Sequence, residues 1–298
     1  MALRGKKPED RKQRLKLLLS GPAGVGKTRA AIQMPKPYII DTEQGSVHYG
    51  EMIEKSGGAV YETTSASDII AEVRSLLTDK HPFLTVVIDP ITTVYDLALA
   101  EGERKVGTDW GRHYGYANEL FKRLCNLLIT LDMNVVITAH EKDDYETITD
   151  PKTGKAERVK TGVTFDGYKK LDYIFDLWLA LRRQQKSAAN SPRIAHVMKT
   201  RLEVEFPDQA EFPWTYEALA ERFGKERIEK GVESITLASA DQVSRMQFLL
   251  SRLADDEKKA LKIDKALSEF DELADMPADR MSKGIALIEL HLAKKEAA

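Results

Sequence analysis

Three short stretches carry residue types that could do chemistry. The first, GPAGVGKT from Gly21 to Thr28, fits the spacing G-x-x-x-x-G-K-[ST]. Its glycines let the backbone curl so that several N–H groups point at one phosphate, and the helix that opens behind it adds a favourable dipole. Gly21, Pro22, Ala23, Gly24, Val25, Gly26, Lys27, Thr28 and Arg29 are therefore the expected nucleotide contacts. Lys27 would reach the β- and γ-phosphates of ATP, and the Thr28 hydroxyl would hold Mg2+. The second stretch, LTVVIDP, ends an apolar run on Asp89, which supplies the second metal-side acid. The third, PYIIDTEQGS from Pro37 to Ser46, ends an apolar run in two carboxylates, Asp41 and Glu43.

Hydrolysis also needs a group that orients or deprotonates the attacking water. Many ATPases carry a glutamate directly after the strand aspartate, but here that position is Pro90. An arginine-bearing lid of the kind used by small-molecule kinases is not evident. The end of the YIIDTE strand would lie on the same rim of a parallel sheet as the P-loop and Asp89, where ligands bind. Asp41 and Glu43 are two apart, so both would point to one side if the strand continued. The longer Glu43 has the better reach.

The elements that must position these groups follow from periodicity. RLKLLLS (14–20), YIIDT, FLTVVIDP and NVVITAH are apolar runs with little alternation, as expected of strands buried on both faces. KTRAAIQM (27–34) reads as a helix stopped by Pro35 and Pro37. ASDIIAEVRSLLTD places apolar residues at 69, 70, 73, 76 and 77, a helical spacing, and NELFKRLCNLLITLD reads as another helix. Strands alternating with helices predict an α/β fold with a mainly parallel sheet. YETITDPKTGKAERVKTGVTF predicts a polar hairpin or loop. YIFDLWLALRR, RIAHVMKTR and LEVEF predict late strands. From about Ile235 the composition turns to three amphipathic helices, the first opened by Ser239 and Gln242 at capping-box spacing and the last by Pro277. The expected division is a basic arm (1–16), a P-loop ATPase core (17–234) and a helical module (235–298).

These residues carry a resemblance. YIIDTEQG resembles the segment of the RecA-like recombinase superfamily that carries its catalytic glutamate, and HVMKTRLEVEFPDQAEF is similar to the segment whose two basic residues reach a neighbour's ATP. The size, the stretch FDGYKKLDYIFDLWLALRR and the helical tail resemble a phage-encoded branch, the RecA-like ATPases of the Sak type used in single-strand annealing and recombination. The resemblance spans residues 10 to 215. It implies a homo-oligomeric ring or filament on single-stranded DNA, with ATP between subunits. It picks Glu43 as general base, Lys199 and Arg201 as trans-acting cations, and His140 as sensor of the γ-phosphate, where a glutamine or asparagine is commoner.

The superfamily binds DNA through two loops. The first corresponds to EGERKVGTDWGRHYGYANE, where Arg104, Lys105, Trp110, Arg112 and Tyr114 interleave cations and aromatic faces among glycines. The second holds Lys152, Lys155, Arg158 and Lys160 around a turn, beside several acids. The formal net charge of −2 excludes a globally basic nucleic-acid binder, so any such surface is local. Arg14 and Lys16 count with the basic N-terminal arm, which could touch nucleic acid. The single Cys125 excludes an intramolecular disulfide and reads as a buried thiol. No apolar run is long enough for a membrane span, and no secretory signal is evident, which points to the cytoplasm. A single-strand-binding protein could dock on the helical module. The alternatives are a P-loop motor or helicase-loader-like ATPase, and a nucleotide-dependent scaffold that does not hydrolyse.

Overall fold

The computed structural model describes residues 14–149, 156–168, 171, 174–184, 191–261, 263, 267, 270 and 272–296. Along the chain run β1 (Lys16–Ser20), α1 (Lys27–Ile32), β2 (Pro37–Asp41), α2 (Gly50–Lys55), β3 (Ala59–Glu62), α3 (Ala66–Thr78) and β4 (Thr85–Asp89). Then come α4 (Ile91–Val106), α5 (Arg112–Thr130), β5 (Asn134–Ala139), β6 (Glu141–Thr149), β7 (Ala156–Phe165), β8 (Leu177–Arg183), β9 (Arg193–Thr200) and β10 (Glu211–Pro213). The chain continues through α6 (Tyr216–Phe223), α7 (Lys225–Ile228), α8 (Ala240–Ser251), α9 (Asp255–Ala260) and α10 (Ala278–Glu296).

Eight strands form one sheet in the order β10-β9-β8-β1-β5-β4-β2-β3. The six from β8 to β3 are parallel, and β9 and β10 add an antiparallel edge. The α/β expectation therefore holds. The register aligns the strand ends that matter: Ser20 lies level with Ala139, and Asp41 with Asp89. The residues that follow these positions leave the sheet along one rim. β1, β4 and β5 are buried along their whole length, as their unbroken apolar runs required.

The chain clusters into two compact units. The first comprises residues 1–65, 82–97 and 132–232 and contains the whole sheet. Its core joins Leu15, Leu17 and Leu19 to Ala30, Ala31 and Ile32 of α1, Ile53 of α2, and Leu219, Ala220 and Phe223 of α6. Burial of each such leucine or isoleucine contributes about 2 kcal/mol. Arg14 and Lys16, counted by sequence with a solvated arm, belong to this unit's interior. Arg14 pairs with Asp132 at 2.9 Å and donates to the carbonyl of Lys230 at 2.8 Å. Lys16 opens β1 and donates to the Met133 carbonyl at 3.1 Å. Burial pushes its ammonium down to about 7, against the pull of Asp176 and Asp132.

The second unit comprises residues 66–81, 98–131 and 233–298. Here Arg123 of α5 and Arg74 of α3 converge on buried Asp275, at 2.6 and 3.4 Å. The expected capping box opens α8, with Gln242 N–H donating to Ser239 Oγ at 3.2 Å and Ser239 N–H to Gln242 Oε1 at 2.9 Å. Cys125 is buried, as its apolar surroundings implied.

Some elements depart from expectation. LEVEF (202–206) is a turn and not a strand: the Phe206 N–H returns to the Leu202 carbonyl at 2.7 Å. Phe206 is fully buried while Val204 is 93% exposed, so the alternation at 202, 204 and 206 does not mark one inward face. The expected glycine-rich loop at 101–119 is mostly helix: α4 runs to Val106 and α5 starts at Arg112. Only Gly107–Gly111 break the path, with Gly107 and Gly111 at φ 74° and 70°. The predicted polar hairpin forms as β6 and β7, paired from Glu141↔Phe165 to Thr149↔Ala156.

Candidate functional site

The P-loop rises from the end of β1 and returns into α1. Its conformation is set by Gly26 at φ 100°, a backbone state that side chains rarely adopt. Ala23, Gly24, Gly26, Lys27, Thr28 and Arg29 line a cavity of about 360 Å³, together with Asp41, Glu43, Gly45, Tyr49, Asp89, Pro90, His140, Arg183 and Arg193. Of the other expected contacts, Val25 turns into the core, Pro22 is exposed, and Gly21 offers its carbonyl to Lys27 Nζ at 2.7 Å. Burial pulls the Lys27 ammonium below its usual range, opposed by Asp89, Glu141 and Glu43. A phosphate would supply the missing negative charge.

Asp89 ends β4 almost fully buried and accepts hydrogen bonds from the hydroxyls of Thr138 and Thr28. Burial raises its pKa, and the two hydroxyls and Lys27 oppose the rise. A threonine hydroxyl touching a strand carboxylate is a hard-oxygen donor set that fits Mg2+, an ion that keeps several ligands for water and phosphate. No cluster of three or more His, Cys, Asp or Glu side chains that could hold a metal ion occurs among the described residues.

The two carboxylates at the end of β2 are in different states. Asp41 is buried and folds over the turn that follows it: Oδ1 accepts the N–H groups of Glu43 and Gly45 at 3.0 and 3.2 Å, and Oδ2 that of Ser46 at 2.8 Å. Burial alone would raise its pKa; the bonds from Ser46, Glu43 and Gly45 outweigh that and hold it below the ordinary aspartate range. Glu43 is half exposed into the cavity. Its Oε1 accepts from the Thr93 hydroxyl at 2.5 Å, and its Oε2 lies 3.6 Å from His140 Nε2. His140 is itself fixed through its backbone, taking its N–H to Thr92 Oγ1 at 3.0 Å and its carbonyl to the Asp166 N–H at 2.7 Å. Thr92 and Thr93, in the first turn of α4, thus hold the expected base and sensor. Sequence reading missed both, although TT directly after DPI is a local signal.

Lys199 and Arg201 do not line this cavity. Lys199 donates to the Phe175 carbonyl at 2.5 Å, and Arg201, just beyond β9, pairs with Asp176 at 3.2 Å. Two cavity-lining arginines were missed by sequence: Arg183 and Arg193, at facing ends of β8 and β9.

The expected DNA-contacting residues divide. Trp110 is 98% exposed at φ 54°, and Tyr114, Arg104 and Arg112 are exposed nearby in the chain. Lys105 is held by Glu101 at 2.6 Å and by Tyr116 at 2.8 Å, so its charge is already balanced. In the β6–β7 hairpin Lys160 pairs with Asp143 at 2.6 Å, and the main chain of Arg158 pairs with Thr147. Lys152 and Lys155 lie outside the described residues. Among the described residues no helix is long and apolar enough to cross a membrane.

Comparison with known proteins adds the family. The sequence matches no curated protein. Among solved structures, the assembled ATPase EscN of the enteropathogenic E. coli type III secretion system is similar at 13% identity and a TM-score of 0.36. That likeness covers 92% of this chain and 66% of the other, and at this score it carries no argument. A family model described as AAA domain matches residues 13–207, well over half of the 298, and the chain therefore belongs to that AAA domain family.

Proposed function

We propose that this chain is a cytoplasmic, RecA-like ATPase that binds single-stranded DNA, acts in recombination or strand annealing, and holds ATP between subunits. The observation that carries the ATPase reading is Glu43, anchored by Thr93 and facing His140 across the P-loop cavity. Glu43 accepts a proton from the attacking water, and Thr93 keeps the carboxylate aimed. Lys27 leaves the carbonyls of Gly21 and Pro22 for phosphate oxygens. His140 donates to the γ-phosphate. Thr28 and Asp89 would hold Mg2+, which neutralises charge on the phosphates when bound. Lys199 and Arg201, which lie outside their own subunit's cavity, act on a neighbour's nucleotide.

The DNA reading rests on the α4–α5 corner, where Trp110 offers a naked stacking face between glycine hinges with Arg104 and Arg112 close in sequence. A motor or loader-like ATPase with the same core would share the cavity and not the corner's use. A scaffold that does not hydrolyse would release no phosphate at all.

Phosphate release by wild type and by Glu43→Gln, each with and without a single-stranded oligonucleotide, tests both halves. Wild type should turn over ATP faster with DNA, and its DNA affinity should fall steeply with salt. Glu43→Gln should bind ATP and lose turnover by about a hundredfold or more. Near-normal turnover in that variant would move the base elsewhere. Absence of oligonucleotide binding at low salt would end the recombination reading and leave the motor.

A further inference from the structure

Arg183 and Arg193 stand directly opposite each other in the β8–β9 antiparallel pair. β8 runs parallel to β1 with Ala180 level with Ser20, so Leu181–Arg183 continue beyond the rim where the P-loop begins. Both guanidiniums fasten onto that loop. Arg183 donates to the Gly24 carbonyl at 2.5 Å, and Arg193 donates to the Val25 carbonyl at 2.6 Å. A Cβ at position 26 would lie 2.5 Å from Arg193 Nε, so Gly26 also gives the guanidinium room to close on the loop. Arg29 shares the same cavity wall.

Like charges directly opposite on paired strands are destabilising. Here a third arginine joins them, and among the described residues no carboxylate pairs with any of the three. Burial and the nearby Arg29 and Arg183 hold the Arg193 pKa below its ordinary value, with Tyr49 opposing. The carboxylates that line the cavity are engaged elsewhere: Asp89 and Glu43 act on Lys27, and Asp41 holds the turn after β2. The cavity thus has a catalytic side around Lys27 and a purely cationic side around Arg193. Positive charge gathered without a counter-ion, beside a loop shaped for phosphate, calls for an anionic ligand.

We propose that Arg183 and Arg193, with Arg29, form a clasp for the nucleotide's polyphosphate in their own subunit. They fix the P-loop through two carbonyls and provide a cationic wall that the bound phosphates neutralise. The inference rests on the nucleotide reading above, but Arg183 and Arg193 lie outside the P-loop motif, and the resemblance assigns neither of them a role. Because the clasp lies apart from the group that touches Lys27, it serves ATP and ADP alike and acts in binding, not in cleavage. Arg183 and Arg193 are positioning residues toward the P-loop and ligands toward phosphate.

Calorimetric titration of the full chain with MgATP and with MgADP tests this on wild type, Lys27→Ala, Arg183→Gln, Arg193→Gln, the double variant and Arg193→Lys. Melting temperatures are measured with and without nucleotide. Each single glutamine variant should bind both nucleotides about tenfold more weakly, as expected for loss of a charge-assisted contact. The double variant should lose more, Arg193→Lys should recover part, and the steady-state loss should fall on KM rather than kcat. Without nucleotide, Arg193→Gln should melt at or above the wild-type temperature, because like-charge repulsion is relieved. Unchanged affinity in the double variant would overturn the clasp, as would a lowered melting temperature with affinity retained. If wild type bound neither nucleotide, the nucleotide reading itself would fall, whatever the arginine variants did.

Discussion

Asp41 and Glu43 sit two residues apart and have opposite surroundings. Three backbone N–H groups converge on Asp41, which leaves it little capacity to accept a proton from water and makes it the keystone of the turn that presents Glu43. Asp41→Asn should therefore damage catalysis indirectly. An amide keeps one acceptor oxygen and turns an NH2 toward the Ser46 N–H, so stability should fall by about 1–3 kcal/mol and kcat should drop more than KM rises. The pH dependence has a definite sign. A depressed aspartate pKa stabilises the fold above its unfolded value and loses that contribution as pH falls through the folded value. The melting-temperature gap between wild type and Asp41→Asn should be full at neutral pH and shrink on acidification below about pH 4. A gap that stayed constant or widened in acid would refute this role. Strand spacing put both carboxylates on one side, and both line the cavity; chain length favoured Glu43, and only the resemblance chose it as base. The hydrogen bonds that separate the two were not legible, because they depend on the backbone path after the strand, including Gln44 at φ 56°.

Among the elements, the α4–α5 corner carries a clear backbone strain. Trp110 holds a left-handed conformation at φ 54° with its ring almost wholly in solvent, and no packing compensates. Such a conformation costs a non-glycine residue about 1–2 kcal/mol. Trp110→Gly should then raise stability by about 1 kcal/mol and weaken single-stranded DNA binding by about 1–3 kcal/mol, the worth of one stacked base. Unchanged oligonucleotide affinity would show that the ring serves another partner. The corner's helices were misread as loop because four glycines among polar residues suppress the helical period, although only Gly107 and Gly111 adopt positive φ. β1, β2, β4 and β5 were legible because interior strands are continuous apolar runs. β3 was not: it is four residues long and none of them is fully buried. Arg183 and Arg193 escaped notice for a related reason. Arginines ending a strand look solvated until that strand is placed beside β1.

For the whole molecule, a formal charge of −2 means that any association with DNA or with further copies would run through local surfaces. The two ends of β9 differ: Arg193 at its start holds its own P-loop, and Lys199 near its end lies outside that cavity. If Lys199 serves a neighbour, subunits with Lys199→Ala and subunits with Glu43→Gln should each be inactive alone. Mixed in equal amounts, they should regain about a quarter of wild-type turnover, the share of interfaces that unite an intact base with an intact cation. No recovery in mixed assemblies would assign Lys199 to its own subunit. The two compact units interleave along the chain, with α3 and α5 clustering with the segment from residue 233 on, a grouping that no change of composition marks.

The protein also carries its own optical reporters. It has three tryptophans, and their surroundings differ sharply. Trp214 is buried, Trp178 donates its indole N–H to Ser20 Oγ at 2.9 Å at the root of the P-loop, and Trp110 stands in water. A soluble quencher such as acrylamide would extinguish the red-shifted emission of Trp110 first and leave the other two. If Trp110 stacks on DNA as proposed, that step and nucleotide loading would give separate fluorescence signals in one unlabelled sample, with the order of the two events read from their time courses.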